Sequence, residues 1–194
     1  MRRLLNHPRA IIFTPLLLLG LLSAYYLLAR YQPAQITEIP RPAPQTQSLN
    51  TFSENGVTVE IAWEQDASGQ AWLMGTFTPL EPGFHVYSKD LPKEGVRGQG
   101  RPTLIEIVSP SEVKPRGPLQ ADQPVEDHYV RAINQSIPIY PAGPVTLRLP
   151  ITLPKRGSTP VELAITYASC SNFNCLEPVI DKRVSVVIGE AAGR

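Results

Sequence analysis

The hydrophobic pattern of the chain divides into one long apolar run near the start and a series of short alternating segments after it. The alternation begins at about residue 49, where Val57, Val59 and Ile61 are apolar at every second position and Trp63 continues the same face. A period of two is typical of β-strands that bury one face and expose the other. The segments after residue 49 therefore predict a domain of short β-strands joined by turns.

Turn-forming residues divide this region into roughly seven to nine short strands. Strands are predicted at residues 57–63, 72–77, 84–87, 103–108, 129–139, 145–151, 161–167 and 179–188. Residues 109–124 are predicted to be a loop, because their four prolines forbid long regular pairing. In the strand at residues 103–108, Leu104 is expected to face inward, together with Ile105 or Ile107. The predicted fold class is all-β: an immunoglobulin-like antiparallel β-sandwich preceded by one N-terminal transmembrane helix.

The apolar run occupies residues 10–29 and follows the positive charges of Arg2, Arg3 and Arg9. About 20 apolar residues are needed to cross a hydrocarbon core of roughly 30 Å. Positive charge before the run and little after it predicts a cytoplasmic N-terminus and a domain outside the membrane. We assign residues 1–30 to a signal-anchor helix; the alternative is a cleaved signal peptide.

Four prolines follow the apolar run, at positions 33, 40, 42 and 44. Such a segment is expected to be extended and to act as a spacer. The predicted organisation is a linker at residues 31–49, a β-sandwich domain at residues 50–190 and a tail at residues 191–194.

The formal net charge is only +1, and the chain has no glycine-rich phosphate-binding motif. Without a basic stripe and interleaved aromatic residues, the sequence gives no case for binding nucleic acid. The remaining candidate chemistry lies in the only two cysteines, Cys170 and Cys175.

The two cysteines are separated by Ser-Asn-Phe-Asn, residue types that form turns, so their thiols are expected to face each other across the end of a β-hairpin. Outside the cytoplasmic membrane a disulfide between them would persist. Closing so short a loop contributes only roughly 2 kcal/mol, which weakens a purely structural role. Three roles remain open at this point: redox exchange, a structural disulfide in a redox-inert immunoglobulin-like binding or assembly module, and a copper or zinc site completed by His85 or His128.

Three stretches, taken in order, resemble one known family. They are Gly-Phe-His-Val-Tyr-Ser at residues 83–88, Glu-Asp-His-Tyr at residues 126–129, and the region from Tyr167 through both cysteines to Pro178. Together they are similar to the amino-terminal periplasmic domain of DsbD, a thiol:disulfide interchange protein. The resemblance spans residues 57–188, and the fold of that family is immunoglobulin-like.

The resemblance implies that the reduced cysteine pair passes two electrons to thioredoxin-like periplasmic partners, of the disulfide isomerase or cytochrome c maturation type. Cys175 would form the mixed disulfide and Cys170 would resolve it. No cofactor and no metal are implied. The expected location is the bacterial inner membrane, crossed once, with the C-terminal domain in the periplasm. Because the chain lacks a second cysteine pair, we expect a separate membrane-embedded thiol reductase to act as electron donor.

The resemblance also suggests which residues surround the sulfurs. We assign the cap and wall of the site to Glu126, Asp127, His128, Tyr129, His85, Tyr87 and Phe173. Glu126 and Asp127 would disfavour the thiolate if they lie close to it. His128 stands where the family carries a shielding aromatic residue, and His85 stands where relatives often have Tyr. The alternative interpretations are polar surface or edge-strand positions for the two histidines, core aromatics for Tyr87 and Tyr167, and an exposed turn position for Phe173.

Overall fold

The computed structural model describes residues 44–108, 112–153 and 157–189. The predicted membrane helix at residues 1–30 and the tail at residues 191–194 lie outside these residues. All regular structure in the described part is β apart from one short 3-10 turn, as the alternating pattern predicted. In this part of the chain, no helix has the length and apolar character required to cross a bilayer.

Thirteen strands are defined among the described residues. They are β1 (Gln45–Glu54), β2 (Val57–Gln65), β3 (Ala71–Pro79), β4 (His85–Val86), β5 (Leu104–Ile107), β6 (Lys114–Pro115), β7 (Gln120–Ala121), β8 (Glu126–Val130), β9 (Gln135–Ile139), β10 (Val145–Thr152), β11 (Ser158–Tyr167), β12 (Ser169–Cys170) and β13 (Val179–Gly189). The 3-10 turn, Arg131–Ile133, lies between β8 and β9.

The larger sheet has the order β1-β2-β3-β10-β6, and β7 pairs with another part of β10. All of its pairs are antiparallel. Val57, Val59 and Ile61 on β2 are fully buried, as their alternation predicted, and Leu147 on β10 is buried beside them in the core. On the edge of this sheet, Trp63 Nε1 donates to Gln47 Oε1 at 3.0 Å.

The second sheet has the order β13-β11-β5 and packs against the first. A Cβ atom at Gly75 of the first sheet would overlap Ile105 Cδ1 of the second, so the Ile105 side chain packs directly on the backbone of Gly75. Phe77 and Tyr167 make an edge-on ring contact across the same interface, with centroids 5.7 Å apart. The arrangement is that of an antiparallel β-sandwich, and the apolar residues between its sheets form what we call the main core.

Three details differ from the expectations of the sequence. Strand β1 begins at Gln45, inside the segment assigned to the linker, because its backbone pairs with β2 over its whole length. Leu104, which was expected to face inward, is only partly buried. Of its two expected companions, Ile105 faces the core with 2% exposure and Ile107 is partly buried.

Residues 129–139, predicted as one strand, form the end of β8, the 3-10 turn and β9. The chain reverses there because Asn134 adopts a left-handed conformation with φ 52°, which asparagine tolerates better than most residues. Strands β8 and β9 pair with each other to form a hairpin. We call β8, the 3-10 turn and β9 the cap hairpin.

A separate set of short strands carries the cysteines. After Tyr167 the chain leaves the second sheet, and β12 pairs with β4 so that Cys170 lies opposite His85. Just beyond β4, Tyr87 bridges to Ile139 of the cap hairpin. These strands enclose a second cluster of buried side chains, distinct from the main core: Tyr87, Leu91, Ile137, Ile139, Ala168 and Cys170.

Candidate functional site

Cys170 and Cys175 form a disulfide, with an S–S distance of 2.07 Å. The two residues also pair as an antiparallel bridge, and Ser171 N donates to Asn174 O at 2.7 Å between them. Ser171 Oγ accepts hydrogen bonds from the backbone N–H groups of Phe173 and Asn174, at 3.2 and 3.1 Å. The predicted turn and the predicted facing of the two cysteines across it are confirmed.

The two ends of the disulfide lie in different environments. Cys170 is 3% exposed and belongs to the second cluster, whereas Cys175 is exposed at the surface. The Tyr87 hydroxyl donates to Cys170 Sγ at 3.1 Å, and burial raises the pKa of that tyrosine. The phenol therefore remains a hydrogen-bond donor at neutral pH, held against the buried sulfur.

A groove of about 610 Å³ opens beside Cys175. One wall is the turn between the cysteines, and the other is the cap hairpin with its 3-10 turn. Phe173 stands on the first wall and is 98% exposed, while His128 and Tyr129 lie on the second. Cys175 is thus part of a concave surface, and the aromatic side chain of Phe173 projects at the rim of that surface.

The two predicted site histidines meet at the base of the cap hairpin. The ring of His85 lies 5.1 Å from the ring of His128 and 5.7 Å from that of Tyr87. His85 is only 3% exposed, and its Nε2 atom has no hydrogen-bond partner among the described residues. Burial, and secondarily the charge of His128, lowers the pKa of His85 to about 4. His85 is therefore not at the surface, but it does lie on an edge strand, since β4 pairs only with β12 in the described sheets.

Glu126, Asp127 and Tyr129 lie on the outer part of β8. Both carboxylates are exposed, and neither lines the groove. Tyr129 is 55% exposed, and its hydroxyl pairs with Asn134 Oδ1 at 2.5 Å. Among the predicted wall residues, His128, Tyr129, Tyr87 and Phe173 share the groove with Cys175, and His85 lies behind them.

A glycine-rich loop that the sequence did not assign to the site also contacts the disulfide. A second cavity, of about 130 Å³, lies between this loop and both cysteines; its other lining residues are Gly98, Gln99, Gly100, Arg101, Ala168, Leu176 and Pro178. Arg101 Nη1 donates to three backbone carbonyls of the loop, at 2.6 to 3.2 Å. Gly100 has φ 71°, and a Cβ atom there would lie 2.9 Å from the Tyr87 ring. The only sequence signal for this packing is the spacing of the glycines.

The cysteines and histidines do not form a metal centre in this structure. Over the described ranges, no group of three or more His, Cys, Asp or Glu side chains has an arrangement that would hold a metal ion.

No protein-family model, curated protein or solved structure matches the chain. The functional interpretation therefore depends on the geometry around the disulfide.

Proposed function

We propose that this chain is a thiol:disulfide exchange protein that passes reducing equivalents through Cys170 and Cys175 to thioredoxin-like partners. The observation that carries the proposal is the asymmetry of the disulfide. Cys175 is exposed beside a groove, while Cys170 is buried and accepts a hydrogen bond from Tyr87. Exchange by way of a mixed disulfide needs one accessible sulfur and a second sulfur held directly behind it.

The reaction starts from the dithiol form. The Cys175 thiolate attacks one sulfur of the partner disulfide, and the other partner sulfur leaves as a thiolate that takes up a proton. Cys170, as thiolate, then attacks Cys175 Sγ and releases the second partner sulfur. The partner gains two electrons and two protons, and the Cys170–Cys175 disulfide of the structure is the oxidised product.

Tyr87 is suited to the reverse half of this cycle, in which a reductant opens the disulfide. When a thiol attacks Cys175 Sγ, Cys170 Sγ becomes the leaving thiolate. Its negative charge would strengthen the hydrogen bond already donated by Tyr87, since bonds to charged acceptors are roughly twice as strong as neutral ones. This hydrogen bond would offset part of the cost of forming a thiolate at the buried Cys170.

The proposal extends to the location and the electron donor. An anchor formed by residues 1–30 would place an immunoglobulin-like sandwich in the periplasm, at the inner membrane of a bacterium, where disulfides persist. The sequence has only two cysteines, so a separate membrane-embedded thiol reductase would regenerate the dithiol. An anchor and linker would raise the effective concentration of the domain near such a donor.

Trapping tests the direction of the exchange. Cys170→Ser leaves Cys175 without a resolving thiol, so incubation with an oxidised thioredoxin-fold disulfide isomerase is expected to give a stable mixed disulfide. The adduct would be visible on a non-reducing gel and by intact mass. Cys175→Ser is the matched control and is expected to give little adduct, because Cys170 is buried. Equal trapping by both variants would show that the assigned roles are wrong, and no adduct with either would contradict exchange.

The reduction potential separates exchange from a purely structural disulfide. The potential can be measured by equilibrating the wild-type domain with known ratios of reduced to oxidised dithiothreitol. We expect a reduction potential above about −300 mV, because structural disulfides in secreted proteins have potentials below that value. A potential well below it would favour the structural alternative even if an adduct forms slowly.

A further inference from the structure

The contact between His85 and His128 joins two parts of the molecule. His85 belongs to β4, which pairs with the cysteine strand β12, whereas His128 belongs to the cap hairpin. Their rings lie 5.1 Å apart and are tilted by 51°. The contact therefore lies where the cap hairpin covers β4, the strand that pairs with the strand of the buried cysteine.

The surroundings of His85 suit a neutral ring only. Its Nε2 atom is buried, and no described residue offers that atom a partner, so a proton added to the ring would place a charge where the described structure supplies no acceptor. The groups facing the ring are Tyr87, just beyond β4, His128 from the cap hairpin, and Cys170 from β12. Tyr87 is a neutral phenol, Cys170 is held in the disulfide, and a charge on His128 would repel the added proton.

The cap hairpin is attached to the domain by few main-chain hydrogen bonds. Ser88 N donates to Pro138 O at 3.0 Å, and Tyr140 N donates to Val86 O at 2.9 Å. At the tip, Arg97 Nη1 donates to Ile133 O at 3.2 Å. By contrast, β10 pairs with β3 at seven positions, from Val145 to Ile151. Opening of the hairpin would also take Ile137 and Ile139 out of the second cluster, but it would leave the main core of the sandwich folded.

We propose that the contact between His85 and His128 is a proton-sensitive latch: protonation of His85 releases the cap hairpin from β4 and widens the groove beside Cys175. His128 lines that groove, so movement of the hairpin changes access to the exposed cysteine directly. The latch is a property of the fold and does not depend on the exchange activity proposed above.

The direction of the effect follows from proton linkage. The pKa of His85 is about 4 when the hairpin is closed, compared with 6.5 for a free imidazole. The open form therefore binds more protons between these two values, and its population rises as the pH falls from 6.5 towards 4. With these two pKa values, the ratio of open to closed hairpin increases about twentyfold between pH 7 and pH 5.

Amide hydrogen exchange, measured residue by residue by NMR on the oxidised protein, tests the latch. After correction for intrinsic rates, the amides of β8 and β9 are expected to exchange about twentyfold faster through opening at pH 5 than at pH 7. The amides of β10 and β11 are expected to keep their protection. The matched variant His85→Phe keeps a ring but cannot be protonated, so its cap hairpin is expected to show no such change. A wild-type hairpin with no pH response, or an equal response in His85→Phe, would overturn the proposal.

Global unfolding would also bring a protonated His85 into water. The amide exchange measurement distinguishes global unfolding from opening of the latch. If β10 and β11 lose protection by the same factor as the cap hairpin, protonation acts on the whole fold and the latch is wrong. Failure of exchange with thioredoxin-like partners would leave these amide results unchanged, so the two proposals can fail separately.

A second measurement on the wild-type protein keeps the latch testable if His85→Phe does not fold. In an NMR titration, the His85 ring proton is expected to titrate well below pH 6.5, together with the amide signals of β8 and β9. His128→Phe removes one of the two charges, so the hairpin response should persist with a smaller amplitude. A His85 signal that titrates near pH 6.5, or that titrates while the hairpin signals do not move, would contradict the latch.

Discussion

The main core and the second cluster are built from different kinds of side chain. Between the sheets, the main core is made of fully buried aliphatic and aromatic residues such as Ile61, Leu147 and Leu163. Around the second cluster, the buried groups include His85, Ser169 and the sulfur of Cys170. Within the described part of the chain, side-chain atoms of the first two have no hydrogen-bond partners. Unsatisfied buried polar groups cost stability, and they are expected where a structure serves a purpose other than packing.

The strands of the two regions differ in the same way. Pairs in the sandwich extend over long registers, such as nine positions between β11 and β13, whereas β4 and β12 pair at only two. The comparison indicates that stability resides in the sandwich and that the disulfide lies in a weakly held extension of it. This division is open to test by substitutions whose effects on unfolding and on disulfide chemistry should separate.

The largest expected effect on stability is in the main core. Leu147→Ala removes a fully buried side chain from the middle of β10 and is expected to lower the free energy of unfolding by about 2–5 kcal/mol. Urea denaturation followed by circular dichroism would measure the loss. The control is Val187→Ala, whose side chain is 54% exposed and should cost under about 0.5 kcal/mol. If the folded fraction of Leu147→Ala also showed an altered rate of disulfide reduction, the two regions would not be independent.

The disulfide itself is expected to contribute less. Its removal in the double variant Cys170→Ser, Cys175→Ser should lower the free energy of unfolding by at most about 2 kcal/mol, because the closed loop is short. Denaturation of the variant and of the oxidised wild type in the same buffer would give the difference. A loss well above this value, with unfolding of the whole sandwich, would make the disulfide a structural element and would remove the basis of the comparison.

Tyr167 lies at the border between the two regions, and Tyr167→Phe is expected to cost about 1 kcal/mol at neutral pH through the loss of its 2.8 Å hydrogen bond to Glu54 O. Burial first, and the charge of Glu54 second, raise the pKa of this tyrosine. The folded state therefore keeps a proton that the unfolded chain loses above about pH 10, so the wild type loses stability as the pH rises past that value.

Denaturation between pH 7 and pH 11 would show this loss in the wild type, and Tyr167→Phe should show a smaller slope. Tyr129→Phe is the control, because that side chain is 55% exposed. A slope that is identical in the wild type and in Tyr167→Phe would contradict the assignment of the alkaline sensitivity to this residue.

The smallest effect on stability, and a clear effect on chemistry, is expected for Tyr87→Phe. The substitution removes a hydrogen bond to a sulfur, which is a weak acceptor, and should cost under about 1 kcal/mol. Because the phenol would stabilise the departing Cys170 thiolate, reduction by dithiothreitol should slow by about tenfold, a barrier change of about 1.4 kcal/mol. An unchanged rate would show that the hydrogen bond to Cys170 has no part in the reaction.

The sandwich strands could be predicted from the sequence because each signal is local. The alternation of Val57, Val59 and Ile61 marks one buried face whatever the partner strand is, and the turn between the cysteines follows from its Ser and Asn residues. The predicted strand at residues 129–139 failed because its reversal depends on a single left-handed residue, Asn134, within a run that otherwise suits a strand.

The surroundings of the site were harder to predict, because they depend on pairing between distant segments. Nothing local in Cys170 shows that its strand leaves β11 to join β4, and only that change brings it opposite His85. Gly100 of the glycine-rich loop packs on Tyr87, and the spacing of the glycines, the only signal in the sequence, does not identify that partner. Glu126 and Asp127 were placed beside the sulfurs by resemblance alone, and the structure leaves them at the surface, outside the groove.

The positions of the aromatic residues give each region its own optical signal. The only two tryptophans, Trp63 and Trp72, lie on β2 and β3 of the larger sheet. Tryptophan emission therefore reports on the sandwich, where the Trp63 indole is tied to Gln47. Beside the disulfide the aromatic chromophores are Tyr87, Tyr129 and Phe173. In the variant Phe173→Trp, subtracting the emission spectrum of the wild type would therefore give the signal of the new tryptophan at the groove. Events at the groove and unfolding of the sandwich could then be followed in a single sample.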